Sequence, residues 1–353
     1  MRWSFLRRAW RWLGRTDVAA VLMVLVLLIV AFGSWFPQLT QDLPGDSERL
    51  ARWETDVVSR YGALAGALER AGAFRIYRSP LFLALLAFMG FATLACTLQR
   101  WQAKWTQAFH LPGQLPEATL ATAPFTAALV LAPEPGLPAR LRGSLEDHGF
   151  RVRSVRGESN VTLRAGRHRL ASLATLVDHF ALLLILLGVA SSGLFGWRED
   201  LTIAPRATAE IGHGSHLTLH NGGFNIERYP DGSAAAYEAD VVLVDGQQEV
   251  RRRVGVNEPV AYRGVSMYLQ SYRESESGYS VTFLAVHDPG YGLVIAAGVL
   301  LLLGMAVSFG LPYSAIFARV TADGSVHVAG WAERRAYNFG REFAALVEEF
   351  RQV

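Results

Sequence analysis

Four long apolar stretches, at about 18–36, 79–98, 171–197 and 289–311, divide this chain. At about 1.5 Å per residue each can cross about 30 Å of hydrocarbon, so they predict four transmembrane helices. The third is interrupted only by Asp178 and His179. Between the first two, Leu50, Trp53, Val57, Tyr61, Leu64 and Leu68 recur at three- and four-residue steps. That spacing predicts an amphipathic helix over 46–73, capped by Asp46, lying along the membrane surface or against an outer domain.

Between the last two spans the period shortens to two. Runs at 224–229, 237–244, 249–256, 262–272 and 279–286 read as strands. They are separated by turn residues at Pro230-Asp231-Gly232, Asp245-Gly246 and Asn257-Glu258-Pro259. Block 198–288 is therefore expected to be an antiparallel sandwich. The segment 99–170 reads as a small α+β unit: a strand at 125–131, a helix at 138–148 and a hairpin near Gly157. The tail 312–353 reads as a hairpin turning at Asp323-Gly324, then a helix from about Arg341. The fold class is a polytopic α-helical membrane protein with four transmembrane helices and an extracytoplasmic β-sandwich-like domain.

Composition agrees with this class. The chain has 353 residues, 51% hydrophobic and only 18% charged, too apolar for an ordinary soluble domain. A net charge of +3 gives no reason to expect nucleic acid as a partner. One cysteine, Cys96, excludes an internal disulfide, and no C-x-x-C-H or zinc spacing is present. The basic start followed by an apolar run is tested as a signal peptide. Its uncharged length and the lack of a clean cleavage site read as a retained helix.

Placement of charge sets the orientation. Arg2, Arg7, Arg8, Arg11 and Arg15 precede the first span, which puts the N-terminal segment, 1–16, in the cytoplasm. Arg140, Arg142, Arg151, Arg153, Arg156, Arg164, Arg167 and Arg169 put 99–170 there as well. The outer segments are then 37–78 and 198–288, and the tail returns inside. Trp3, Trp10, Trp12, Trp35, Trp101, Trp105 and Trp197 flank spans, as interfacial anchors do.

His179 is the leading candidate for chemistry. Hydrocarbon offers a ring nitrogen no water, so an ionisable group at that depth needs a partner. Two readings stay open: a functional residue, or a histidine bonded to the backbone or a hydroxyl of a neighbouring helix.

The order of short segments resembles the ResB-like family of cytochrome c biogenesis proteins, called CcsB in fused forms. Tyr77-Arg78-Ser79-Pro80-Leu81-Phe82, with Cys96-Thr97 and Arg100, is similar to the family's second helix. Asp178-His179-Phe180, then Gly193-Leu194-Phe195-Gly196, is similar to its third. Tyr229-Pro230-Asp231-Gly232, Val256-Asn257-Glu258-Pro259, Tyr262-Arg263-Gly264 and Tyr268-Leu269-Gln270-Ser271-Tyr272 resemble its β domain. Asp288-Pro289-Gly290 opens the fourth span, and Val328-Ala329-Gly330 resembles the tail.

The resemblance implies a bacterial plasma-membrane subunit that handles haem b. It implies pairing with a ResC/CcsA-type membrane protein carrying a Trp-rich haem motif, and presentation of haem to apocytochrome c. This chain shows no such motif, so it reads as the partner half and not the fused synthase. The family's transmembrane histidine is regarded as a haem ligand, which makes His179 the candidate axial ligand. It would lie roughly 12 Å up the third span from its inner end. The competing reading is a scaffold that stabilises the Trp-rich partner and docks apocytochrome c without binding haem. A third, a membrane sensor, lacks an output module in the short tail. No Ser/His/Asp or Cys/His constellation appears, so the subunit is expected to be non-catalytic. Thioether bonds would form between the cytochrome's own thiolates and the haem vinyl groups.

Other residues carry weaker expectations. Asp178 lies about 100° around the helix from His179 and is expected to meet an inner-boundary arginine or another helix. Cys96 is expected to be a small buried hydrophobe. His213, His216 and His220 form an unusual group, with His216 and His220 on one strand face and His213 in a turn. Zinc or haem there is the sharper reading, a solvated role the plainer one. His287 borders the fourth span and is a weak ligand candidate. Arg100, Arg167 and Arg169 could attract haem propionates, or serve topology and membrane lipid headgroups.

Overall fold

The computed structural model describes residues 2–39, 47–109, 122–157, 160–276 and 278–352. Asp46, the expected helix cap, lies outside the described residues. Among the described residues four helices are long and apolar enough to cross a membrane. They are α2 (Thr16–Gly33), α5 (Pro80–Phe109), α7 (Ala174–Phe195) and α8 (Tyr291–Gly310). Much of their apolar surface faces outward; Leu28 is 61% and Leu302 67% exposed. In water such faces would be unfavourable, and hydrocarbon is the solvent that suits them.

Two helix bounds differ from the sequence expectation. No Gly or Pro follows Leu98, so α5 continues to Phe109, with Trp101 and Trp105 stacked at 5.8 Å. The third span runs Arg169–Phe195, with a 3-10 turn at Arg169–Leu173 ahead of α7.

The chain forms two compact units. One combines residues 1–20, 90–183 and 297–353. Its centre is a five-stranded antiparallel sheet in the order β1-β13-β12-β3-β2. The strands are β1 (Phe125–Val130), β2 (Arg151–Arg156), β3 (Asn160–Arg167), β12 (Ser314–Thr321) and β13 (Ser325–Ala332). The segment 99–170 and the tail were expected to be separate pieces. They share one sheet, because β3 pairs along its length with β12, from Ser314↔Arg167 to Thr321↔Asn160. Alternation aims Leu163, Ala165, Ile316, Ala318 and Val326 at one face. Two helices cover that face: α6 (Leu137–Asp147) through Leu137, Leu141 and Leu145, and α9 (Phe339–Gln352) through Phe339, Phe343, Leu346 and Phe350. Arg167 of β3 grips Glu342 of α9 through both Nη atoms at 2.6 and 2.7 Å.

The other unit combines residues 21–89 and 184–296. Two four-stranded antiparallel sheets, β4-β11-β10-β9 and β5-β6-β7-β8, build its sandwich. These are β4 (Trp197–Ile203), β5 (Thr208–Ile211), β6 (Leu217–Arg228), β7 (Ala234–Asp245), β8 (Gln248–Gly255), β9 (Val260–Tyr262), β10 (Val265–Ser275) and β11 (Gly278–His287). Leu219, Leu243, Met267 and Phe283 meet in the core at 0% exposure. Strands β4 and β5 were not read from the sequence, since charged residues mask the alternation in the first and the second has four residues. The expected helix over 46–73 is broken at Gly62, whose φ is +52°, into α3 (Ser47–Tyr61) and α4 (Ala65–Arg70). Both pack around Phe74 together with Trp53 and Tyr61. Gln38 ties this layer: its amide donates to the carbonyls of Gly33 and Ala73 and accepts from Ile76 N–H.

Candidate functional site

His179 lies on α7, about 8 Å along the helix from Ala174. Its Nδ1 is 3.2 Å from Thr97 Oγ1 on α5. Thr97 donates its only hydroxyl proton to the Thr93 carbonyl at 2.7 Å. A hydroxyl whose proton is committed can only accept, so the proton between the two side chains belongs to Nδ1. His179 is thereby fixed as the Nδ1–H tautomer. Its Nε2 keeps a lone pair, and among the described residues that nitrogen has no hydrogen-bond partner. A neutral imidazole, oriented through one nitrogen and bare at the other, is the form that binds a metal centre. The residues present therefore fit haem iron as a bound cargo.

Thr97 stood in the resemblance without a role. Its signal was a hydroxyl inside an apolar span, at 8% exposure. Three residues on, Arg100 shares its helix face and exerts its charge on His179. Arg100 also lines a basic cavity of about 530 Å³ with Arg11 and Arg15. Arg15 is already paired with Asp17 at 2.7 Å, which leaves Arg11 and Arg100 as the cations of that cavity without an ion pair among the described residues. Arg167 is engaged by Glu342 and sits 4.7 Å over the Phe150 ring, so it is not available to a propionate. Among the described residues Arg169 Nε and Nη2 have no hydrogen-bond partner.

Asp178 makes no hydrogen bond to His179. Its Oδ1 packs where a Cβ on Gly304 of α8 would stand. Arg335 attracts it through space while bonding Ser308 Oγ and, at 3.0 Å, Thr175 Oγ1. Arg335 comes from the tail, a contact no local pattern announces. Cys96 is buried at 4% exposure and is a free thiol.

His213, His216 and His220 do not form one centre. His216 sits in a turn with φ +55°, ahead of β6, and not on a strand face with His220. His220 Nδ1 lies 3.1 Å from Thr208 Oγ1. His213 stacks on Trp197 at 4.7 Å. Among the described residues no group of three or more His, Cys, Asp or Glu is placed to hold a metal ion.

The pattern of the ResB-like family matches residues 16–287 and 276–344. The chain belongs to the ResB-like family. One relative is the cytochrome c biogenesis protein CcsB of Synechococcus sp. (strain WH7803), 30% identical over 278 residues, 74% of this chain and 60% of that protein. Another is CcsB of Prochlorococcus marinus (strain MIT 9303), 26% identical over 278 residues, with the same coverages of 74% and 60%. The chain thus spans about 60% of the length of these ResB-like relatives. Among solved structures, the cytochrome c haem lyase CcmF aligns at a TM-score of 0.34 and 12% identity, over 72% of this chain and 44% of that one. A TM-score of 0.34 does not establish a shared fold.

Proposed function

We propose that this chain is a haem-handling membrane subunit of a cytochrome c assembly complex, with haem b as cargo and apocytochrome c as acceptor. The observation that carries the reading is the bare Nε2 of His179, fixed by Thr97 inside the membrane span. Family membership and the relatives' name, cytochrome c biogenesis protein, support it.

In this reading the arginine-rich termini and the five-stranded unit face the cytoplasm of a bacterial plasma membrane, and the sandwich faces outward. Arg11 and Arg100 attract carboxylates at the inner boundary, where low dielectric strengthens the pairing. The His179 lone pair holds the iron, and Thr97 keeps the ring from rotating away. Haem supplies the iron site and the vinyl groups; the cytochrome supplies the thiolates. The chain's contribution is binding, orientation and exclusion of water, not covalent catalysis. A ResC/CcsA-type protein with the Trp-rich motif is the partner that receives the cargo.

The test is purification of the complex with and without His179→Ala. The variant is expected to lose the haem held at His179 and that site's axial absorption signature, with added imidazole restoring both. Unchanged haem content and an unchanged spectrum would leave the chain a scaffold for its partner and apocytochrome c.

A further inference from the structure

The five-stranded sheet has a second face, turned away from α6 and α9. Alternation puts Val152, Leu163 and Ala165 against those helices, so Arg151, Arg153 and Arg164 stand on the opposite side. Register sets Arg153 directly across from Arg164, and Arg151 across from Gly166. Like charges directly opposite each other on a sheet repel. No Asp or Glu occurs in any of the five strands to separate them. Around the covered face carboxylates do meet arginines: Glu342 with Arg167, Glu134 with Arg140 and Glu146 with Arg142. Among the described residues no carboxylate pairs with Arg151, Arg153 or Arg164.

Arg164 is the centre of the group. It is 5% exposed, and among the described residues its buried Nε has no hydrogen-bond partner. Burial first, then the charge of Arg153, pushes its guanidinium below the ordinary arginine range. A guanidinium withdrawn from water beside a second cation is unfavourable unless an anion joins them. Arg151 and Arg153 are exposed, so an anion has access from their side. Beyond the end of β3 comes a fourth guanidinium, Arg169, with the unpartnered Nε and Nη2. Its charge reaches Tyr313, which packs with Ala315 and Phe317 on this same face.

Location identifies the anion. Strand β3 runs into the third span, which opens at Arg169, and β12 begins four residues after α8 ends. Arg151 is level with the last residues of β3, and the Arg153–Arg164 pair stands about 7 Å further along the strands. Long arginine side chains at that distance reach the headgroup layer flanking the hydrocarbon.

We propose that Arg151, Arg153 and Arg164, with Arg169 where the span opens, hold the headgroup phosphate of one anionic phospholipid. The forked guanidiniums of Arg153 and Arg164 take its oxygens from two sides, and the phosphate offsets their repulsion. Basic pockets beside the ends of membrane helices recognise anionic headgroups by the same chemistry. The site is independent of haem and uses none of the residues around His179.

The test follows thermal unfolding of the full chain in nanodiscs of phosphatidylcholine alone and of phosphatidylcholine with phosphatidylglycerol. Wild type is expected to gain stability from phosphatidylglycerol. Arg153→Gln removes an exposed cation, so in phosphatidylcholine it should unfold at or above the wild-type temperature, with the repulsion relieved. In the mixed lipid it should fall below wild type, which reverses the order of the two chains. Arg153→Gln below wild type by the same margin in both lipids would make the residue structural and overturn the site. An equal gain from phosphatidylglycerol in both chains would assign the response to other surface arginines and overturn it too.

Native mass spectrometry of the detergent-solubilised chain counts the phosphatidylglycerol it retains. Arg153→Gln with Arg164→Lys is expected to weaken that binding about tenfold or more. Arg140→Gln, at an exposed arginine already paired with Glu134, is expected to leave it unchanged. Equal loss in both would show general charge attraction only and overturn the site. Inorganic phosphate added to phosphatidylcholine nanodiscs is expected to leave wild type unchanged. A rise matching that from phosphatidylglycerol would assign the arginines to a free phosphate compound and overturn the lipid.

Discussion

Thr97 Oγ1 accepts a hydrogen bond from His179 Nδ1–H at 3.2 Å because its own O–H already donates to the Thr93 carbonyl. The hydroxyl thereby decides which imidazole nitrogen is bare. Thr97→Val keeps the shape of the side chain and removes the acceptor. It is expected to lower haem affinity at His179 by about ten- to a hundredfold, the usual effect of losing such an orienting partner. Thr97→Ser should preserve affinity. Haem titration of wild type and both variants is the measurement; equal affinity in the Val variant would remove Thr97 from the account.

Close approach of α7 and α8 rests on glycine. A Cβ on Gly290 would collide with the Gly188 carbonyl and with Ser192 Oγ, whereas Gly292 has open space around it. Small residues let helix backbones approach in lipid, where no hydrophobic drive holds them together. Gly290→Ala is expected to destabilise the chain by about 1–3 kcal/mol, the cost of overpacking. Gly292→Ala should be close to neutral. Thermal unfolding in nanodiscs separates the two, and equal midpoints would refute the contact.

Much of this architecture was legible because its signals are local. Four apolar runs, alternation in 224–286 and turn residues such as Asp231-Gly232 each act within about ten residues. His179 stood out for the same reason, as a polar ring amid leucines. What stayed hidden is non-local. The shared sheet depends on β12 meeting β3, which lie far apart in the chain. Arg335 reaching Ser308 and Thr175 is equally remote. Trp197 read as an interfacial anchor because flanking position is visible, while its stacking on His213 and His287 is made by strand register. Arg167 looked free until Glu342 of α9 was placed beside it.

One buried amide joins the sandwich's sheets. Asn221 of β6 is 0% exposed, and its Nδ2 donates toward the carbonyls of Ile203, Ala204 and Tyr279 at 3.1–3.3 Å. Asn221→Ala leaves buried carbonyls unsatisfied, a loss of about 1–3 kcal/mol. Asn221→Asp should be worse, since a carboxylate would face carbonyl oxygens. Hydrogen exchange of β6 and β11 in the full chain is expected to accelerate in the order Asn, Ala, Asp. Protection unchanged in both variants would show that the apolar core alone joins the sheets.

The turn between β12 and β13 carries a pH dependence of definite sign. Hydrogen bonds from Thr321 Oγ1 first, then from the backbone and side chain of Ser325, hold the Asp323 carboxyl below the usual carboxylate range. A group depressed in the folded state stabilises it above the unfolded pKa, about 3.9 for Asp. That stabilisation fades as pH falls from there through the lower folded value, because protonation removes an acceptor. Asp323 is fully exposed, so the effect is local to the hairpin. Hydrogen exchange of 314–332, corrected for the intrinsic rate, should lose protection as pH falls below about 4 in wild type. Asp323→Asn should start less protected and show little further change over that range. If both chains lose protection in parallel, the acid response belongs to another carboxylate of the five-stranded unit, and the turn is held by Gly324, at φ +83°, instead.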